Sequence, residues 1–209
     1  SDILEVDHCR QLDLVDAVTL EAWVKPERLG GGGGRIIDKS QAGTSTGYMI
    51  DTYPGNSLRM IVAEAQLGYN AKLPTDRWSH VVGVFSRPNG VFKLYLDGRE
   101  VADRSSPSMQ KMIRNRLPLR IGACSEGANR YRGEIDRVTV YDRALTAKDV
   151  AALAARDDRK SLDLPGRVAD WEFRRQGEQA YVSSAPGDLK FKRPMSIAGS
   201  AEPPAGDLT

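Results

Sequence analysis

The chain has 209 residues, with 30 Lys+Arg against 28 Asp+Glu and a formal net charge of +2. That near-neutral balance excludes a dedicated nucleic-acid binder, which needs a concentrated basic stripe. Charged residues at 28% and hydrophobic residues at 40% fit one sizeable globular domain, alone or with an extension. No run approaches the ~20 apolar residues of a membrane helix, so membrane insertion is not expected. The Ser1-Asp2-Ile3-Leu4 start lacks a signal-peptide pattern, as a mature or excised fragment would also lack it. Cys9 and Cys124 are too few for a disulfide framework or a four-cysteine zinc site. They either form one bridge or act as two small buried apolar residues. The two histidines, His8 and His80, weigh against histidine-based metal or triad chemistry.

Through about residue 145 the chain reads as strands and turns. Val18, Leu20, Ala22 and Val24 alternate with Thr19, Glu21 and Trp23, up to Lys25-Pro26-Glu27, where proline removes a ladder donor. Gly30 to Gly34 is a loop between strands, because no phosphate-binding GK[ST] follows it. Further strands are predicted at 35–38, 47–51, 58–62, 78–85, 91–96, 99–101, 119–122 and 133–141. Arg87-Pro88-Asn89-Gly90 and Asp97-Gly98 supply tight turns, since Asn, Asp and Gly tolerate positive φ. Around ten strands separated by turns predict an all-β antiparallel sandwich. One helix follows: Thr146 caps it in a box with Asp149, Val150 and Leu153 face the core, and Asp157-Asp158-Arg159-Lys160 ends it. Val168 to Phe173 reads as one more strand. Ser183–Gly187 and Ser200–Thr209 read as turn-rich and loose, with Pro203–Gly206 as linker.

Val18-Thr19-Leu20-Glu21-Ala22-Trp23-Val24-Lys25-Pro26 resembles the opening signature of laminin-G-like domains of the concanavalin A-like lectin/glucanase superfamily. Four more segments match that family in order: Trp78 to Phe85, Leu94 to Gly98, Pro118 to Gly122, and Arg132 to Val138 with Tyr141 to Leu145. The resemblance covers residues 1 to about 155, leaving 156–209 as an extension. It implies a two-sheet jelly roll in which a concave face or its rim loops hold sugars. It also implies a structural calcium ion and an accessory module of a secreted protein. The family's opening W-x-F strand is missing ahead of Ile3-Leu4-Glu5-Val6, and Val168-Ala169-Asp170-Trp171-Glu172-Phe173 looks like it. That segment either opens a second, truncated module or folds back to fill a vacant sheet edge.

The superfamily's glucanases place paired carboxylates on one strand as Glu-x-Asp-x-x-Glu or a close variant. Glu134-Ile135-Asp136 begins that pattern, but Arg137, Val138, Thr139 and Val140 follow and the second glutamate is absent. No catalytic residue is therefore assigned. Asp136 alternates with Val138 and Val140, which points its carboxylate inward, as a structural hydrogen-bond partner or a calcium ligand. Asp7, Asp38 and Asp136 are the candidate metal ligands.

Trp23 and Trp78 lie in strand motifs and are expected in the core. Tyr48, Tyr53, Tyr69 and Tyr131 are the better candidates for ligand contact. Asp51, Tyr53, Arg59, Asn70, Arg120, Glu126, Asn129, Arg130 and Tyr131 form the candidate ligand-binding set, with Glu64 nearby. The arginines suit a carboxylated or sulfated glycan, and the alternative is a solvated face with scattered salt bridges. His80, alternating with Val82 and Val84, is expected as a satisfied, partly buried histidine.

These readings point to a noncatalytic carbohydrate-binding module of a larger secreted or extracytoplasmic polysaccharide-active protein. Its partners would be a glycan and the parent's catalytic domain. The alternatives are a structural or protein-interaction laminin-G-like module, and a glycan-cleaving enzyme.

Overall fold

The computed structural model describes residues 3–27, 32–41, 44, 46–106, 108, 112–156 and 162–173, and the backbone of 191–192. In chain order the strands are β1 (Leu4–Val6), β2 (Ala17–Pro26), β3 (Arg35–Ser40), β4 (Gly47–Asp51), β5 (Leu58–Val62), β6 (Ala65–Tyr69), β7 (Ser79–Ser86), β8 (Val91–Leu96), β9 (Arg99–Asp103), β10 (Leu119–Ile121), β11 (Gly133–Tyr141), β12 (Arg167–Glu172) and β13 (Phe191–Lys192). One helix, α1 (Ala147–Ala154), lies between β11 and β12. The segments 183–187 and 200–209, the 203–206 linker and the 157–160 helix end lie outside the described residues.

The strands form two antiparallel sheets. The first runs β13-β1-β10-β3-β4-β5-β6 and the second β12-β11-β2-β7-β8-β9. The alternation predicted for β2 is observed. Val18, Leu20, Ala22 and Val24 enter the inter-sheet core, opposite Phe85, Gly83, Val81 and Ser79 of β7. The facing sheet contributes Ile50, Leu58, Met60 and Val62. At Gly83 the sheets approach closely: a Cβ there would lie 2.4 Å from Met60 Sδ. Only a residue without a side chain fits without moving Met60.

A smaller core covers part of the second sheet's outward face. Val82, Val84, Tyr95 and Tyr141 pack there with Leu145, Val150 and Leu153. The Thr146 side chain accepts from Asp149 N at 3.1 Å, and the Asp149 carboxylate accepts from Thr146 N at 3.0 Å. This is the capping box expected from the sequence; it satisfies two otherwise orphaned N–H groups.

The Val168–Phe173 segment lies in the sandwich rather than beyond it. β12 pairs antiparallel with β11, Trp171 opposite Val138 and Asp170 opposite Thr139. Trp171 is fully buried in the inter-sheet core. The strand supplies hydrogen-bond partners that the edge of β11 would otherwise lack.

Several sequence expectations change in the fold. Trp23 and Trp78 are half-buried and belong to neither core. Trp23 sits on the second sheet's outward face, its ring 5.0 Å from that of His80. Tyr48 and Tyr131, expected as ligand contacts, are core residues; the Tyr48 hydroxyl donates to Leu12 O at 3.1 Å. β6 was not predicted at all. Cys9 and Cys124 are free thiols, half-buried and buried.

Candidate functional site

The outward face of the first sheet gathers charged side chains by strand register. Glu5, Arg120, Asp38, Met49, Ile61 and Gln66 are successive cross-strand partners. A second row runs Arg35, Asp51, Arg59 and Gly68. Each is offset by one residue from a core-facing position, since side chains alternate along a strand. Opposite charges therefore meet directly across the sheet.

Asp51 is the centre of this face. Both its oxygens accept from Arg59, Oδ1 from Nε at 3.0 Å and Oδ2 from Nη2 at 2.6 Å. Oδ2 also accepts from Arg35 Nη1. The Arg35 Nε makes an ion pair with Asp38 Oδ2 at 3.0 Å, and its Nη1 lies 3.3 Å from Met49 Sδ. Arg120 pairs with Glu5 at 2.9 Å. Asp38, Met49 and Asp51 are buried although they face outward, because the Arg35 side chain lies across all three. Tyr53 extends the row beyond Asp51. Its ring is 4.2 Å from the Arg59 guanidinium carbon, and the residue remains 46% exposed.

Burial raises the Asp38 carboxyl above its ordinary range, outweighing hydrogen bonds from the Ser40 N–H and hydroxyl and the pull of Arg35. A raised folded pKa favours the fold below the unfolded carboxylate range, and that contribution is lost as pH rises through the folded value. The wild type should therefore gain stability relative to Asp38→Asn on acidification from neutral pH, as read by urea melts at each pH. A difference that is flat or of opposite slope contradicts this.

The remaining predicted ligand residues divide by location. Arg120 is on this face, next to Asp38 in register. Asn70, exposed just past β6, accepts from the Ser57 hydroxyl at 2.9 Å. Glu126, Asn129 and Arg130 are exposed in the loop joining β10 to β11. That loop meets β3 through its backbone: Asn129 O accepts from Arg35 N at 2.9 Å, and Arg130 bridges Arg35. Tyr131 instead turns into the core. Burial, with Glu134 and Glu27 adding, raises its phenol well above the usual range, and its hydroxyl has no hydrogen-bond partner among the described residues. Tyr69 shares the parity of Leu67, so it is at the rim on the core side of β6. Glu64 sits in the turn between β5 and β6, at the far end of those strands from Tyr53.

The metal trio does not assemble. Asp38 lies in the first sheet with its oxygens on Arg35 and Ser40, Asp136 lies in the second sheet, and Asp7 is exposed after β1. Among the described residues, no three His, Cys, Asp or Glu side chains are grouped to hold a metal ion, whereas calcium takes six to eight oxygens. Asp136 also loses the expected alternation. The register between β11 and β2 shifts between Ile135 and Arg137, and Ile135 and Val138, three residues apart, both pack on the core. Asp136 is the extra residue of that bulge. Glu134 pairs with Lys25 at 3.3 Å on a largely exposed stretch.

Two buried polar groupings go beyond the sequence reading, which weighs only His80 among them. On the second sheet, His80 Nε2 is 3.1 Å from Glu21 Oε1, and the Tyr141 hydroxyl donates to Glu21 Oε2 at 3.2 Å. His80 is thus fully rather than partly buried, and its Nδ1 has no hydrogen-bond partner among the described residues. Beside them Arg137 Nε donates to Asp170 at 2.8 Å, which ties β12 to β11. At one end of β3, the buried Lys39 ammonium donates to Leu117 O at 2.8 Å and to Asn115 Oδ1 at 3.0 Å. Burial lowers its pKa, against the pull of Asp13 and Cys9. It fastens the 115–117 segment to the sheet.

A laminin G family model, of the Concanavalin A-like lectin/glucanases superfamily, matches residues 1–151. The chain belongs to that superfamily. This laminin-G-like chain is 24% identical over 149 residues to Adhesion G-protein coupled receptor V1 of Danio rerio. It is 26% identical over 151 residues to Pentraxin-related protein PTX3 of Mus musculus. Each match takes in 65% of this chain, but 2% of the receptor and 39% of the pentraxin-related protein.

Many solved structures share the fold, the following three among them. One, from Bacteroides ovatus, is assigned to carbohydrate binding (TM-score 0.65, 16% identity, 83% of this chain and 49% of that one). Domain 4 of the extracellular arabinanase AbnA of Geobacillus stearothermophilus, in complex with arabinotriose, gives 0.55 at 22% identity, covering 73% and 72%. The sialidase module CBM40 of Ruminococcus gnavus, bound to α2,3 sialyllactose, gives 0.58 at 12% identity, covering 73% and 94%.

Proposed function

We propose that this chain is a noncatalytic carbohydrate-binding module that holds a glycan on the outward face of its first sheet, as part of a larger secreted, polysaccharide-active protein. The observation that carries the reading is the Asp51 centre, where two arginines fix one carboxylate beside a half-exposed tyrosine ring. A rigid set of donors and acceptors next to an aromatic surface is the chemistry a sugar needs: directed hydrogen bonds to hydroxyls, and a flat partner for the C–H face. The three structural neighbours, one described as a carbohydrate binding protein and two held in complex with arabinotriose and with α2,3 sialyllactose, support the same reading. The incomplete Glu134–Asp136 pattern supports a role without catalysis. Among the described residues, no helix is long and apolar enough to cross a membrane.

Affinity electrophoresis through gels cast with different polysaccharides tests the function. At least one polysaccharide should retard the chain, and Tyr53→Ala should weaken the interaction about tenfold while leaving stability within about 0.5 kcal/mol, as expected for an exposed position. Retardation unchanged in Tyr53→Ala would move the site elsewhere. No retardation anywhere would favour a protein-interaction or spacer module. Release of reducing sugar would make the chain an enzyme.

A further inference from the structure

The charged face is balanced and its charges are already engaged. Arg35, Arg59 and Arg120 each contact a carboxylate, and Asp38, Asp51 and Glu5 are those partners. A sulfated or carboxylated ligand would have to break one of these pairs and approach the remaining carboxylate, both of which cost free energy where the groups are largely desolvated. Sugar hydroxyls meet no such penalty. They donate to carboxylate lone pairs and accept from guanidinium N–H groups, of which Arg59 gives Asp51 only one from Nε and one from Nη2.

The position opposite Arg59 is glycine. Gly68 lies on the outward parity of β6, paired with Arg59, and it is exposed. A Cβ added there would meet only Leu58 O, at 3.9 Å. The row Arg35–Asp51–Arg59 therefore ends in an open step beside Arg59, whose guanidinium is held towards Asp51 and stacks on the Tyr53 ring. Elsewhere in the two rows the outward positions carry side chains.

We propose that this step at Gly68 is the sugar subsite, and that it takes a neutral, polyhydroxylated glycan rather than an acidic one. The inference rests on the carbohydrate-binding reading above and goes further, to the class of ligand and its place on the sheet. It replaces the expectation, drawn from the arginines alone, of a carboxylated or sulfated glycan.

The test is calorimetric titration of the full chain with two panels at low and high salt. The neutral panel is arabinan, xylan, galactan and β-glucan oligosaccharides; the acidic panel is oligogalacturonate, a heparin fragment and sialyllactose. Binding is expected in the neutral panel, with affinity changing less than about twofold between the salts, because no counter-ions are exchanged. Gly68→Ile, whose branched side chain suits a strand and fills the step, should lower that affinity at least about tenfold with an unchanged melting temperature. Salt-sensitive binding to the acidic panel alone overturns the ligand class and leaves the carbohydrate function standing. Neutral binding that Gly68→Ile does not weaken overturns the subsite. Binding to neither panel overturns the function and this inference with it.

Discussion

Trp171→Ala is expected to lower folding stability by about 3–5 kcal/mol, the range for truncating a large, fully buried aromatic. The indole has no exposed surface and packs in the inter-sheet core opposite Val138. It is also the main apolar anchor of β12, whose outward side chains, Asp170 and Glu172, are polar and tied to Arg137. Truncation opens a cavity and loosens the strand that closes β11, so the loss should exceed that of a core residue on a central strand. Trp171→Phe should recover more than half of it. Chemical denaturation of the two variants checks this, and a loss below about 1 kcal/mol for alanine would mean that β12 is not part of the folded unit.

Asp51→Ala should cost a comparable amount, about 3–5 kcal/mol, for an electrostatic reason. It strands the largely buried Arg59 guanidinium and leaves Arg35 with Asp38 alone. Asp51→Asn, which keeps one acceptor but no charge, should fall between alanine and wild type. A double-mutant cycle with Arg59→Ala isolates the coupling: with both partners gone the loss should be clearly smaller than the sum of the single losses. Strict additivity would reduce the face to a set of independent surface contacts worth little each.

What the sequence made legible was local. Alternation in Val18–Val24 identified a strand and its inward face, and Thr146 with Asp149 marked a helix start, because both are set by neighbours a few residues apart. Of the candidate ligand residues, Asp51, Arg59 and Arg120 lie in one sheet, with Tyr53 just past the end of β4 against Arg59. Arg35 and Glu5, which complete the face, are not in the candidate ligand set. Their relevance comes from cross-strand register, and Arg35 sits at a register shift that breaks the alternation within its own strand.

β6 was missed because Ala65, Gln66 and Gly68 have weak strand propensity; the strand exists through pairing with β5. Tyr131 and the two half-buried tryptophans were misplaced because burial depends on which layer covers a face. Trp23 lies on an outward face that α1 covers only in part, whereas Trp171, from the far end of the chain, fills the inter-sheet core. Parity alone points Asp136 inward, because a bulge is invisible to it.

The first sheet's outward face is proposed to hold a sugar. The most direct test is backbone amide mapping by NMR while the isotope-labelled chain is titrated with the oligosaccharide that binds most tightly. Shifts concentrated at Asp51, Tyr53, Arg59 and Gly68, with the Trp23–His80 side of the second sheet unmoved, are the predicted result. Shifts centred on that opposite sheet, or on none of these amides at saturation, would contradict it.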